Sequence, residues 1–259
     1  MTLVWLDDLR LNADLTGPLT GPPLVLIHGL GLDGRLWDAL IPRLTGQRIL
    51  RLDLRGHGAS DTPPPPYAMG AMIRDVERLM THFALKDAVV LGAGAGGLIA
   101  QGLAVKCLDL VCALVLTGSA TRFANPSVWK TRLARLRGEG PDLDAECAAL
   151  LGPRWRASPM LAAVRAMLGT TRPDGWTGFA SAIATADFYQ TTAALRLPTL
   201  ILAGADDRKT PPDVQRDLAD LVPDAGYHLI RGGSHLSMLT DPEGFAEPLL
   251  GFLARIGHA

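Results

Sequence analysis

Extremes are missing from this sequence, and each missing extreme removes a class of function. Lysine and arginine number 25 against 26 aspartates and glutamates, a formal net charge of −1. Such a balance supplies no broad basic field for nucleic acid and no polybasic patch for a membrane surface. Cysteine occurs only as Cys107, Cys112 and Cys147, an odd set without metal-ligand spacing. Buried free thiols are expected, and no metal site. No apolar run approaches the roughly 20 residues needed to span a bilayer. The start, Met-Thr-Leu-Val-Trp-Leu-Asp-Asp, does not follow the basic-then-apolar order of a secretory signal. These absences predict a cytoplasmic protein whose partner is a small molecule, not nucleic acid or a membrane. They assign no oligomeric state.

What is present is a long chain with ample apolar material. Its 259 residues are 48% hydrophobic, enough for one large α/β domain with an insertion. Two alternating segments, about 2–6 and 10–14, predict an antiparallel edge hairpin. The apolar run Leu24-Val25-Leu26-Ile27, introduced by Pro22-Pro23, predicts a buried strand, and 48–53 predicts another. Helical spacing covers Leu36 to Leu44 and Met69 to Phe83. Strand and helix then alternate again over 88–92, 95–106 and 112–117. Such alternation implies right-handed crossovers and a mostly parallel sheet flanked by helices. From 121 to 195 no strand-like run occurs, and Ala, Leu and Arg dominate. This stretch reads as an inserted helical cap, leaving 1–120 and 196–259 as the core. The sheet resumes at 198–203, followed by a helix at 212–221, a strand at 226–230 and a closing helix at 242–256.

Five segments carry possible chemistry. His28-Gly29-Leu30-Gly31 follows the first buried strand, where a glycine turn lets backbone N–H groups approach a ligand; a satisfied histidine in an ordinary turn is the plainer reading. Asp53-Leu54-Arg55-Gly56-His57-Gly58-Ala59-Ser60 reads as a structural loop tying strand ends together, with His57 not catalytic. Gly92-Ala93-Gly94-Ala95-Gly96-Gly97 joins a buried strand to a helix. This is the setting of the G-x-S-x-G turn of α/β-hydrolases, with Gly94 where the serine belongs. The same glycines fit the dinucleotide fingerprint G-x-G-x-x-G, but the next strand ends Val115-Leu116-Thr117-Gly118, without the carboxylate that would hold a ribose. The dinucleotide reading therefore ranks below the hydrolase reading, and no cofactor is expected. The loop Ala203 to Pro212 contains Asp206 and Asp207, placed either to orient a histidine or to close a turn. Gly232-Gly233-Ser234-His235-Leu236-Ser237 supplies a loop histidine. The order of glycine turn, acid and histidine is that of the hydrolases.

These residues together resemble the α/β-hydrolase superfamily along almost the whole chain. The chain is most similar to the 3-oxoadipate enol-lactonase group, through Leu98-Ile99-Ala100-Gln101, Val128-Trp129-Lys130-Thr131-Arg132, Ala186-Asp187-Phe188 and Thr210-Pro211-Pro212. The resemblance implies a small lactone, ester or related carbonyl substrate. It makes Asp207 the acid, with Asp206 the secondary candidate, and His235 the base. It gives the oxyanion hole to the backbone N–H groups of Leu30 and Ala95. Trp129 and Arg132 become substrate contacts, Arg132 for a carboxylate. The plain readings are cap packing for Trp129 and a solvated arginine for Arg132, which lies near Arg135 and Arg137.

Gly94 departs from the pattern, because no acyl-enzyme forms without a hydroxyl. Ser60 and Ser119 read as hydrogen-bonding loop residues, not substitute nucleophiles. A His–Asp dyad with a positioned water could still hydrolyse a carbonyl compound by general-base catalysis. The alternatives are a lyase, decarboxylase or isomerase on the same fold, a serine hydrolase with its nucleophile replaced by engineering, and a ligand-binding pseudoenzyme.

Overall fold

The hydrophobic pattern resolves into one eight-stranded sheet. The computed structural model describes residues 1–155 and 157–259; residue 156, inside the expected cap, lies outside the described residues. Strands β1 (Thr2–Leu6) and β2 (Leu9–Thr16) form the expected antiparallel hairpin, and β2 pairs antiparallel with β4 (Arg48–Leu52). Both hairpin strands alternate buried and open positions, as one-sided strands do. The remaining ladder is parallel: β3 (Pro23–Ile27), β5 (Ala88–Ala93), β6 (Val111–Thr117), β7 (Thr199–Gly204) and β8 (Gly226–Ile230). The spatial order is β1-β2-β4-β3-β5-β6-β7-β8. β5 and β7 are buried at every position because helices cover both faces.

Two helices show how the pattern is read by the fold. Helix α1 (Met69–His82) buries Met69, Met72, Ile73, Val76, Leu79 and Met80, a single apolar stripe. Helix α2 (Gly96–Lys106) is apolar all round and buried from Gly96 to Ala104, packed between the sheet and α1. Its buried Gln101 is satisfied: Nε2 donates to the carbonyls of Gly97 and Ala120, and Oε1 accepts from Thr192. One expectation fails. Leu36 to Leu44 forms two short 3-10 turns, Gly34–Trp37 and Ile41–Arg43, in place of a helix. Pro42 is the reason: it has no N–H to donate, and its ring would collide with the carbonyl one turn earlier.

Between β6 and β7 the described chain is helical, with no strand: α3 (Pro126–Gly138), α4 (Leu143–Leu151), a 3-10 turn, α5 (Pro159–Thr170), α6 (Pro173–Thr185) and α7 (Tyr189–Ala193). α6 presses closely on the sheet domain, with Trp176 and Phe179 fully buried. β7 leads to α8 (Pro212–Leu221); after β8 come the short α9 (Ser237–Thr240) and the closing α10 (Pro242–Arg255).

The thiol expectation holds for Cys107 and Cys147, which are buried and free; Cys112 is only half-buried, its Sγ donating to the Asp87 carbonyl. The chain order reverses at β3, whose two neighbours are β4 on one side and β5 on the other. At such a reversal the loops leaving two adjacent parallel strands part in opposite directions and open a crevice at their carboxyl ends. The segments after β3 and β5 are His28-Gly29-Leu30 and Gly94-Ala95, so topology alone brings these two sequence motifs together.

Candidate active site

The crevice continues into a cavity of about 180 Å³. It is lined by Gly29, Leu30, Ala93, Gly94 and Ala95 at the strand ends, and by Phe123, Trp129, Leu150, Ile183 and Leu236 among others. Three titratable side chains reach it: Arg132, Lys209 and His235. One water needs only about 10–15 Å³ of such space, so the cavity can take a molecule well above water in size.

Gly94 turns the chain from β5 into α2 with φ at +55°. A side chain there costs energy through contact of its Cβ with the backbone, so glycine relaxes a turn that serine would strain. Its N–H donates to the Thr117 carbonyl at 2.8 Å, which fixes the turn against β6. A Cβ built on Gly94 would lie 3.2 Å from His235 Nε2, and its next contacts would be at 3.9 Å. The missing side chain thus points at the histidine. Gly118, also left-handed with φ at +57°, lies on another side of the ring: a Cβ there would sit 2.8 Å from His235 Cε1. Only a glycine admits the imidazole at that distance.

His235 leaves the β8–α9 loop and is 6% exposed. Its Nδ1 lies 2.9 Å and 3.1 Å from the two carboxylate oxygens of Asp207. A deprotonated carboxylate accepts only, so Nδ1 carries the proton and Nε2 is left as a free base facing the cavity. Asp207 is itself held in place. The N–H groups of Lys209 and Thr210 donate to Oδ1 at 2.9 and 2.8 Å, and Gln215 Nε2 donates to Oδ2 at 3.2 Å. Gln215, fully buried on α8, also accepts from the Gly118 N–H at 2.7 Å, joining the acid's loop to the glycine beneath the imidazole. Asp206 is exposed and makes no bond to His235 among the described residues; only its N–H is engaged, to the Gly233 carbonyl.

Leu30 and Ala95 both line the cavity, and neither backbone N–H has a protein acceptor among the described residues. Ala95 is the cap residue of α2, whose amino-terminal end favours negative charge. The neighbouring histidines take no part in the cavity. His28 is fully buried, Nε2 accepting from the Leu54 N–H at 2.9 Å, and burial pushes its pKa down. His57, also fully buried, bonds the Arg55 carbonyl through Nδ1, and burial, aided by His28, drives its pKa to about 3. Asp53 does tie loops together: it accepts from Gly34 N, Ala59 N and Asn12 Nδ2. Ser60 bonds the Asp53 carbonyl, as a loop serine should. Ser119 does not fit its expected part, since its buried Oγ has no partner among the described residues.

Trp129 is buried on α3, its Nε1 donating to the Phe123 carbonyl, and Arg132 lies across its ring with the guanidinium carbon 5.1 Å from the centroid. Arg132 is not a solvated arginine; that description fits Arg135 and Arg137, which are exposed. Arg132 instead donates to Glu146 Oε1 at 2.5 Å. Lys209 donates to Glu146 Oε2 at 2.9 Å, so one carboxylate is shared by two cations. Burial would raise the Glu146 carboxyl, but Lys209 and Arg132 hold it below its usual range. Burial lowers the Lys209 ammonium, Glu146 opposes that, and Arg132 adds to it, for a net lowering. Sequence reasoning missed Lys209, Glu146 and Gln215. Lys209 stands two residues past Asp207 and was open to suspicion; Glu146 and Gln215 carry no local signal.

The chain is similar to known hydrolases in sequence and in fold. The chain is 26% identical to 3-oxoadipate enol-lactonase 2 of Acinetobacter baylyi, over 92% of this chain and 91% of that one. It is 31% identical to a pimeloyl-[acyl-carrier protein] methyl ester esterase of Chromobacterium violaceum, over 88% and 93% respectively. The crystal structure of the enol-lactonase from Burkholderia xenovorans LB400 superposes with a TM-score of 0.92 at 28% identity, covering 98% of this chain and all of the other. The profile of the alpha/beta hydrolase family matches residues 24–247, which takes in the strand ends, the glycine turn, Asp207 and His235. The chain belongs to the alpha/beta hydrolase family.

Proposed function

We propose that this protein hydrolyses a small carboxylic ester or lactone by direct attack of water, with His235 as general base and Asp207 as the residue that orients it. The observation that carries the reading is the free Nε2 of His235, aimed at the side-chain position of Gly94 beside two unpaired amide donors. In this family order the position of Gly94 belongs to the nucleophile. With no hydroxyl there, water takes its place between Nε2 and the substrate carbonyl.

The reaction then runs in one displacement. Nε2 accepts a proton from water as the water oxygen bonds to the carbonyl carbon. The carbonyl oxygen becomes negative and is held by the N–H groups of Leu30 and Ala95, a backbone oxyanion hole. Asp207 stabilises the imidazolium formed and keeps Nε2 pointed at the water. On collapse the carbon–oxygen bond to the leaving group breaks, and the departing oxygen takes the proton from Nε2. The products are a carboxylic acid and an alcohol, or their hydroxy- or keto-acid counterpart from a lactone. No cofactor enters the scheme. The helices between 121 and 195 serve as a cap that closes the cavity, and Trp129 supplies an apolar wall for the substrate. The names of the enol-lactonase and esterase relatives support the substrate class.

The test is hydrolysis of small p-nitrophenyl esters and of enol-lactones by the chain as it stands. Activity is expected, falling roughly a hundredfold or more in His235→Ala, the scale of general-base catalysis. Undiminished turnover in His235→Ala would overturn the reading.

A further inference from the structure

General-base hydrolysis leaves one nitrogen of the cavity wall idle. Lys209, in the loop after β7, lines the cavity with its side chain 24% exposed, so the nitrogen is covered without being sealed off. The chain has three other lysines, Lys86, Lys106 and Lys130, and none of them lines this cavity. An ammonium has no lone pair, so Lys209 becomes a nucleophile only where its proton is easily lost. Its setting favours that loss. Nζ donates to Glu146 Oε2 at 2.9 Å, and Arg132 donates to Oε1 of the same carboxylate at 2.5 Å. No carboxylate lines the cavity among the described residues, and Asp207 is engaged by His235, two backbone N–H groups and Gln215. Two cations therefore share one counter-ion, which leaves a positive charge in excess beside apolar walls. A guanidinium keeps its proton in proteins, whereas a lysine ammonium taken out of water gives its proton up. The excess is thus relieved at Lys209, with Arg132 and Glu146 remaining as a neutral pair. Burial lowers the Lys209 ammonium, Glu146 opposes that, and Arg132 adds to the lowering. Desolvation beside another cation is how proteins activate an amine for attack on a carbonyl carbon.

We propose that Lys209 forms a reversible imine with a small ketone or aldehyde entering the cavity, which makes the chamber a covalent binding site for carbonyl compounds. This activity is separate from ester hydrolysis and uses neither His235 nor the position of Gly94. The lone pair of the free amine bonds to the carbonyl carbon, and the carbon–oxygen π pair moves onto oxygen. That oxygen gains two protons and leaves as water, while the nitrogen lone pair closes the C=N bond. Both protons derive from the original ammonium and are carried by Glu146 and solvent. The change from ammonium and carbonyl to iminium and water therefore balances without oxidant, reductant or net proton release. The iminium nitrogen retains one N–H for Glu146 Oε2 and the same positive charge that the ammonium held. Arg132 is a positioning residue in this scheme: it holds Glu146 and, by its fixed charge, keeps Lys209 in the reactive form.

The experiment needs no turnover. Acetylacetone, a small neutral diketone, is titrated into the intact protein at neutral pH. Its imine with an amine loses one further proton to solvent and settles as a conjugated enaminone, which absorbs in the near ultraviolet. One enaminone per chain is expected, and none above background in Lys209→Arg, which keeps a cation on Glu146 but forms no imine. Arg132→Met retains Lys209 yet leaves Glu146 to it alone, so adduct formation should slow about tenfold, as when an amine pKa rises by one in neutral solution. Circular dichroism checks the fold of each variant. A second measurement locates the site in the unaltered protein: cyclopentanone with sodium cyanoborohydride, then peptide mapping. Lys209 should be alkylated at least about tenfold faster than Lys86, Lys106 or Lys130, the gain in free amine from a pKa lower by one. No enaminone, an equal yield in Lys209→Arg, an unchanged rate in Arg132→Met, or labelling spread evenly over the four lysines each overturns the proposal. Ester hydrolysis does not enter either measurement, so its absence would remove the hydrolytic reading and leave the imine in place.

Discussion

Placing serine at Gly94 should convert single-step hydrolysis into the two-step route of a serine hydrolase. The perturbation is small and its geometry is defined. A Cβ at this position meets His235 Nε2 at 3.2 Å and nothing else closer than 3.9 Å. That distance is tight for carbon, so the imidazole must yield by a few tenths of an ångström while the hydroxyl rotates into hydrogen-bond range of Nε2. The backbone also objects. With φ at +55°, a non-glycine residue is strained, and such a residue costs about 1–3 kcal/mol. The variant should therefore unfold at lower denaturant concentration than the parent, its unfolding free energy lower by about 1–3 kcal/mol. Catalysis should move the other way. In well-studied proteases the oxyanion hole and binding alone give roughly 10³–10⁴ over water, and the nucleophile with its base adds far more. A gain of at least about a hundredfold in ester turnover is expected, discounted from that ceiling for the crowded Cβ. The assay is pre-steady-state hydrolysis of a p-nitrophenyl ester, with fluorophosphonate labelling alongside. The serine form should show a stoichiometric burst and label at residue 94; the glycine form should do neither. A folded serine form that neither labels nor accelerates would refute the placement of residue 94 between His235 and the oxyanion donors.

Three further outcomes test separate links of the argument. Asp207→Asn should keep the fold yet lower turnover by several orders of magnitude, because an amide no longer enforces the Nδ1–H tautomer; parent-level rates in this variant would remove Asp207 from its role. His57 is neutral when buried, with a pKa of about 3 against 6.5 in the unfolded chain, so between those values only the unfolded state gains a proton. Its contribution to stability is whole above pH 6.5 and falls by about 1.4 kcal/mol for each pH unit below that, roughly 2 kcal/mol at pH 5. Urea midpoints should accordingly drop less in His57→Asn than in the parent between pH 7 and pH 5, and identical slopes would contradict the burial argument. Finally, a Cβ on Gly175 would run into the carbonyl oxygen of Gly56, whereas one on Gly251 meets nothing within 4 Å. Gly175→Ala should lose about 1–3 kcal/mol through overpacking. Gly251→Ala, in the middle of α10, should gain about 0.5–1 kcal/mol; thermal unfolding of the pair decides between them.

Much of this protein was legible before any coordinates, and for local reasons. Continuous apolar runs such as Leu24–Ile27 mark doubly covered strands, and the stripe along Met69–His82 marks a half-covered helix; both are set by residues a few positions apart. The glycine turn at 92–97, the acid loop and the histidine loop were readable because each is a short motif in a fixed chain order. The helix expected over 36–44 failed on a single residue, Pro42, that local pattern outweighed in the reading but not in the backbone. What the sequence could not supply is contact between distant side chains. Glu146 meets Lys209 across 63 positions, and Gln215 Oε1 reaches the Gly118 N–H across 97. No periodicity encodes such pairs, because they depend on how α4 packs among the inserted helices and α8 on the sheet. The identities of His235 and Asp207 lay in the chain; that Nε2 faces the bare side of Gly94, with two cations on the same cavity wall, follows from the packing of loops at the carboxyl ends of parallel strands.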